Sequence, residues 1–169
     1  MQQPHKLSIL TGYRLQAQDG EIGKIKQIYF DDQYWIVRYF VVHTGTWLTG
    51  KDILIVPSMI SDVDVKNNCL KVELSREKIQ NCPPVYTALP ISRHYEQEYF
   101  HYYGLKPYWN ENPPFGRKPV PSARFSADDT QPGNSYLHNS EEIKSYRIHA
   151  LDGEIGNVED IVLEEPEWT

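Results

Sequence analysis

The chain has 169 residues, a formal net charge of −6, 40% hydrophobic residues and a mean hydropathy of −0.58. That suffices for one ordinary core plus a remnant, and the surplus of Asp and Glu argues against nucleic acid as a direct partner, because phosphate binding rests on Lys and Arg. No apolar run approaches the roughly 20 residues needed to cross a bilayer, and Met1 to Lys6 lacks the apolar segment of a secretory signal, so a cytoplasmic protein without a membrane span is expected.

In chain order, the first predicted element is a hairpin. Arg14 to Ala17 and Ile22 to Phe30 flank Asp19-Gly20, a pair that suits a tight turn with positive φ. Ile22, Ile25 and Ile28 follow at a spacing of three, which strict alternation cannot bury on one face, so a β-bulge is expected near Gly23. Trp35 to Val42 is nearly continuous in β-branched and aromatic residues, the mark of a central strand covered on both faces. Ile53 to Val56 is a further buried run, ended by Pro57. Val63-Asp64-Val65 and Leu70 to Leu74 alternate around Asn67-Asn68 and read as a second hairpin. Ser75 to Gln80 reads as a short helix closing one end of the unit, and Ser92 to about Tyr103 as an aromatic helix with a Ser92 cap and a Gly104 exit. From Lys106 to Gly133, six prolines and few aliphatic residues predict an extended linker. Ser140-Glu141-Glu142-Ile143 reopens structure with Ser140 as cap and an acidic first turn.

The chain repeats itself. Tyr13 to Gly23 returns as Tyr146 to Gly156, 133 residues later, and the match stays in frame: Ile25 meets Val158, Ile28 meets Ile161, Asp31-Asp32 meets Glu164-Glu165 and Trp35 meets Trp168. Self-similarity at fixed spacing predicts a duplicated structural unit, so Asp152-Gly153 should form a second tight turn, with a second bulge near Gly156. The second copy breaks off after Trp168-Thr169, which predicts an unpaired edge and a half-covered apolar face on Ile155, Val158 and Ile161. The favoured expectation is that the natural chain extends beyond Thr169. Completion by a homodimer comes second, and pairing with the first unit is the third arrangement.

The residues Gly12-Tyr13, Asp19 to Ile25, Tyr29-Phe30-Asp31, Trp35 to Val42, Trp47-Leu48, Leu54 to Pro57 and Leu74 to Glu77, taken in order, resemble the PRC-barrel domain. That domain occurs in the cytoplasmic part of the H subunit of purple bacterial photosynthetic reaction centres and in the C-terminal half of the ribosome maturation factor RimM. The resemblance covers residues 7–83 and, as a partial second copy, 140–169, with the aromatic helix and linker between them over 84–139. It implies an all-β fold, a small bent barrel used for docking. The membrane helix of the H subunit and the N-terminal barrel of RimM have no counterpart in this sequence.

Several motifs weigh against chemistry. Gly45 to Lys51 nearly spells a phosphate loop, but a strand pattern follows where a helix N-terminus is needed. His94, Glu98 and His101 share one helix face with no second ligand helix, which fits a solvated face better than a metal site. Asp31 and Asp32 are adjacent and point to opposite faces of a strand, so they read as turn residues and not an acid–base pair. Cys69 and Cys82 read as reduced structural thiols.

The candidate interaction residues are therefore Tyr99, Tyr102, Tyr103, Tyr108 and Trp109, with Ile155, Val158 and Ile161; Asp19, Gly20, Gly23, Asp152, Gly153 and Gly156 are the structural turn residues. Tyr and Trp anchor interfaces because they bury large area at little entropy cost, but the same aromatics could instead fold back over the first unit. The expected function is non-catalytic docking to a protein partner or to a second copy, with no cofactor. Through the resemblance this extends to assembly of reaction-centre or electron-transfer complexes, with peripheral membrane association. The rival expectations are a small-molecule sensor or enzyme using a barrel pocket, and a RimM-like ribosome-assembly adaptor.

Overall fold

The computed structural model describes residues 4–84, 91–110, 137–165 and 168. It is mostly sheet. Strand β1 (Pro4–Lys6) leads into a single helical turn, α1 (Leu7–Leu10), and then into the hairpin of β2 (Arg14–Ala17) and β3 (Gly20–Asp31). Next come β4 (Val37–His43), β5 (Asp52–Ile55), β6 (Ile60–Asp64) and β7 (Cys69–Val72). Pairing runs in the order β5-β4-β3-β2-β7-β6. All contacts along this path are antiparallel except β2 with β7, which is parallel.

The sheet is not a closed barrel. Strands β5 and β6 end the pairing order, and among the described residues no ladder joins them. A 3-10 turn at Pro57–Met59 carries the chain directly from β5 into β6.

The spacing of three along β3 is resolved by two irregularities. Against β2, Leu15 pairs with Gly23 and Gln16 with Glu21, leaving Ile22 as the extra residue. Against β4, Ile25 pairs with Val42 and Gln27 with Val41, leaving Lys26. Each extra residue shifts the side-chain phase by one, and Ile22, Ile25 and Ile28 are all buried as a result. The bulge beside Gly23 matches the sequence reading; the one at Lys26 is additional. Strand β4 lies between β3 and β5, and its residues Tyr39 to Val42 are fully buried, as its continuous apolar run predicts.

Helix α2 (Arg76–Gln80) is capped by the Ser75 hydroxyl and packs Ile79 into the core. Helix α3 (Arg93–Tyr103) is capped by Ser92, which accepts from the Tyr95 N–H, and ends at Gly104 with φ 68. Both helices begin and end close to the residues the sequence indicates. Of the linker expected over Lys106–Gly133, residues 106–110 are described and end in a 3-10 turn at Tyr108–Asn110; its remainder lies outside the described residues.

The C-terminal segment contains β8 (Leu137–Asn139), α4 (Ser140–Ile143), the hairpin β9 (Arg147–Ala150) and β10 (Gly153–Asn157), and β11 (Val162–Glu164). Helix α4 is capped not by Ser140 but by Asn139, whose Oδ1 accepts from the Glu141 and Glu142 N–H groups. Ser140 is buried instead, and its hydroxyl accepts from the Ile28 N–H.

The 133-residue offset reappears as geometry. Strand β1 pairs with β11, and β8 pairs with the end of β3, in equivalent registers: His5 lies opposite Leu163, and His138 opposite Phe30. The Tyr13 N–H bonds Leu10 O, and the Tyr146 N–H bonds Ile143 O. The Ile25 N–H bonds Tyr13 O, and the Val158 N–H bonds Tyr146 O. The second hairpin skips Ile155 as the first skips Ile22. Trp35 and Trp168 share a left-handed backbone, φ 55 and 54.

The two segments meet by exchanging strands, and Leu163 and Trp168 belong to the same core cluster as Leu7 and Phe40. Trp168 packs edge-on to Phe40 with ring centres 5.1 Å apart, and its carbonyl accepts from the Val37 N–H. Of the three arrangements expected for the second copy, pairing with the first unit is present for its ends, β8 and β11.

Candidate functional site

The aromatic helix is turned inward. Tyr99 is fully buried, packs edge-on to Tyr39 and donates its hydroxyl to Leu54 O at 2.8 Å. Tyr103 packs on Tyr99 with ring centres 4.8 Å apart, and Tyr102 donates to Lys78 O at 2.7 Å. Tyr108 and Trp109 pack on Phe100 and carry cations on their faces, Arg38 over Tyr108 at 4.2 Å and Arg93 over Trp109 at 3.9 Å.

At the centre of this group is Glu96, a fully buried carboxylate. Its Oε1 accepts from the hydroxyls of both Tyr39 and Tyr108 at 2.7 Å, and its Oε2 lies 3.1 Å from Arg93. A carboxylate so placed is tolerated because it is paired and hydrogen-bonded. Its contacts anchor α3 to β4. Burial raises the phenols of Tyr39, Tyr95, Tyr99, Tyr103 and Tyr108, helped at Tyr39 and Tyr108 by the Glu96 charge, so these hydroxyls stay protonated at neutral pH and serve as donors. The five aromatic candidates are thus engaged within the chain.

The second hairpin contrasts with the first. In β2–β3, Leu15 and Ile22 are each 0% exposed; their counterparts on β9–β10, Ile148 and Ile155, are 43% and 70% exposed. Leu151 at the tip is completely exposed, Val158 is half-buried, and Ile161 is partly buried against the core. The local chemistry is otherwise kept: Arg14 lies 3.6 Å from Glu21, and Arg147 lies 3.7 Å from Glu154.

What differs is the cover. The first hairpin has β7 along β2 and β4 along β3, and Trp47 donates its indole N–H to Ile22 O. Arg76 of α2 stacks on Trp47, and its N–H is held by the Asp19 carboxylate. Among the described residues, β9 and β10 pair only with each other. Asp152 and Gly153 form the same turn as Asp19 and Gly20, in solvent. Ile148 and Leu151 escape a motif-based search, although the offset points to Ile148 as the counterpart of Leu15.

The other candidates resolve into structure. Gly45 to Gly50 forms the loop between β4 and β5, with Gly50 N–H bonded to Gly45 O, and leads into a strand. His94 and Glu98 form an exposed pair. Asp31 is buried on Arg38 and accepts from the Tyr34 N–H at 2.6 Å, a turn role, while Asp32 meets His138. Both cysteines are free thiols, and burial raises each.

Among the described residues, no three His, Cys, Asp or Glu side chains converge as metal ligands, and no helix is long and apolar enough to cross a membrane. A cavity of about 140 Å³ lies on the seam between the repeats, walled by Leu7, Ile28, Phe30, Trp35 and Ile161 with the Ser140 hydroxyl at its edge. It offers apolar walls and a single hydroxyl already engaged as an acceptor, with no convergent polar groups to orient a substrate. Compared with protein-family models the chain matches none, and no curated protein matches it either.

Proposed function

We propose that this protein is a non-catalytic docking module of the PRC-barrel kind, with one nearly complete unit at residues 7–83 and a partial second unit at 140–169, working in the cytoplasm. The carrying observation is the apolar face of hairpin β9–β10, where Ile148 and Ile155 stand exposed at positions whose counterparts in the first hairpin are fully buried. Exposed apolar side chains beside open strand edges attract a partner. The aromatic helix supports the reading by its own engagement: Tyr99 to Trp109 pack on the first unit, while the hairpin keeps three exposed apolar side chains, Ile148, Leu151 and Ile155. The partner belongs, on the family resemblance, to a reaction-centre or electron-transfer assembly.

The test is a photo-crosslinking residue placed at Leu151 in the full chain, expressed in its own host. A discrete crosslinked protein, lost when Ile148→Asp and Ile155→Asp are introduced together, is the expected result. Membrane electron-transfer subunits would sustain the assembly role, and ribosomal proteins would move the docking to ribosome maturation. A crosslinking pattern indifferent to the double substitution overturns the docking reading.

A further inference from the structure

We propose that the cavity on the seam between the two copies is a binding site for a small uncharged molecule, a compact hydrocarbon body of about the size of a benzene ring with a hydrogen-bond acceptor at its rim. The site does not depend on docking at β9–β10, and the two readings can fail separately.

The lining is paired by the 133-residue offset. Leu7 and Ser140, Ile28 and Ile161, and Phe30 and Leu163 all line the cavity, each pair giving one residue from either copy. Leu7 opens α1 and Ser140 opens α4, so they hold the same place in their copies, and both are 1% exposed. There the likeness of the two walls breaks. Serine is shorter than leucine, so the second copy withdraws apolar bulk from its wall and sets a hydroxyl in its place. Interiors otherwise pack closely, and the shorter side chain leaves the space unfilled.

Size and chemistry together select the ligand. The cavity measures about 140 Å³, and apolar cavities of roughly 150 Å³ stay dry and take up benzene. A buried water needs several polar partners, and of the lining side chains only Ser140 and Trp35 carry a polar atom. The Ser140 hydroxyl accepts from the Ile28 N–H at 3.1 Å, while its own hydrogen has no acceptor among the described residues. A buried donor left unpaired is costly, so a ligand that brings an acceptor gains what a plain hydrocarbon does not. No charged side chain lines the cavity, which disfavours an ion. Phe30 and Trp35, stacked with ring centres 5.4 Å apart, give it an aromatic wall. Trp35 and Val162 also line it and are 44% and 52% exposed, so they mark the side open to solvent.

A ligand in this place touches both copies at once. Its binding stabilises the exchanged strands by mass action, and β8 and β11 become the elements whose order follows occupancy.

The test uses the full chain with isotope-labelled isoleucine methyl groups and two probes of one shape: cyclopentanone, which carries an acceptor, and methylenecyclopentane, which does not. Saturable shifts of the Ile28 and Ile161 methyl signals are expected with both. Ser140→Ala should weaken the ketone by about fivefold relative to the hydrocarbon; taking the ratio of the two affinities cancels any general loosening of the seam by the substitution. Ile161→Phe fills the space from the other wall and should abolish both shifts.

If neither probe moves the two methyl signals in the unmodified chain, the space is closed or already filled by the chain itself, and the site falls. An affinity ratio indifferent to Ser140→Ala overturns the acceptor requirement and with it the ligand class. Shifts that persist in Ile161→Phe place the binding outside the cavity and overturn the proposal as well. The Leu151 crosslink is untouched by any of these outcomes, so the docking reading is judged on its own.

Discussion

His138 reaches out of the C-terminal segment to Asp32, its Nε2 lying 3.2 Å from Oδ2. The relationship has a twin, because His5 meets Glu165 at the positions related by the 133-residue offset. Each imidazole belongs to the strand one repeat lends to the other, so the two pairs close the exchange at both ends. Removing either ring leaves a partly desolvated carboxylate. His5→Ala and His138→Ala should each lower stability by about 1–3 kcal/mol, measured by urea denaturation. A full loss for one and no loss for the other would contradict the reciprocity.

Glu96 holds the aromatic helix through two tyrosine hydroxyls and Arg93. Glu96→Ala removes the acceptor of both hydroxyls and leaves Arg93 without its partner beside β4. The expected loss is about 2–4 kcal/mol, for two hydroxyls left without their acceptor, with Glu96→Gln costing less because an amide oxygen still accepts. Hydrogen exchange over residues 93–103 should quicken in step with the loss. A neutral Glu96→Ala would mean that α3 is held by aromatic packing alone.

Much of this was legible locally. Asp19-Gly20, the bulge beside Gly23, the Ser75 and Ser92 caps and the Gly104 exit depend on residues within a few positions of one another, and sequence reports such chemistry directly. Helices α1 and α4 were not legible as helices of defined length, since four residues are too short to display a helical period. The second bulge at Lys26 depends on how β4 pairs with β3, a tertiary matter. Glu96 looked like one more polar residue on an aromatic helix, because nothing in the helix itself reveals that Tyr39 of β4 lies against it. The strand exchange was readable in principle: carried upstream of Tyr13, the same offset sets His5 against His138 and Asp32 against Glu165.

Gly23 and Gly156 occupy equivalent places but should respond unequally. A methyl group at Gly23 would collide with the His43 backbone, its carbonyl oxygen at 2.1 Å, and backbone of a central strand has little room to give. Gly23→Ala should cost about 3 kcal/mol or more by overpacking. Gly156 has free space around it and only its φ of 151 to resist a side chain, so Gly156→Ala should cost about 1 kcal/mol. Thermal unfolding of the two variants decides; equal losses would mean that the approach of β4 does not set the requirement at Gly23.

Alkali should unfold the protein through its buried phenols. Burial raises Tyr39, Tyr95, Tyr99, Tyr103 and Tyr108 above the ordinary tyrosine value. In the unfolded chain these phenols release protons near pH 10, while in the folded chain they hold them. Above that pH the unfolded state therefore binds fewer protons, and stability falls as pH rises, by up to about 1.4 kcal/mol per pH unit for each such tyrosine. Below pH 10 this contribution is fully present. Phenolate absorbance and circular dichroism followed together against pH should display exposed tyrosines ionising first, then a steep ionisation that coincides with loss of sheet signal. If all the phenols instead ionised in one smooth step with the sheet signal intact, the inward packing of α3 against β4 would be refuted.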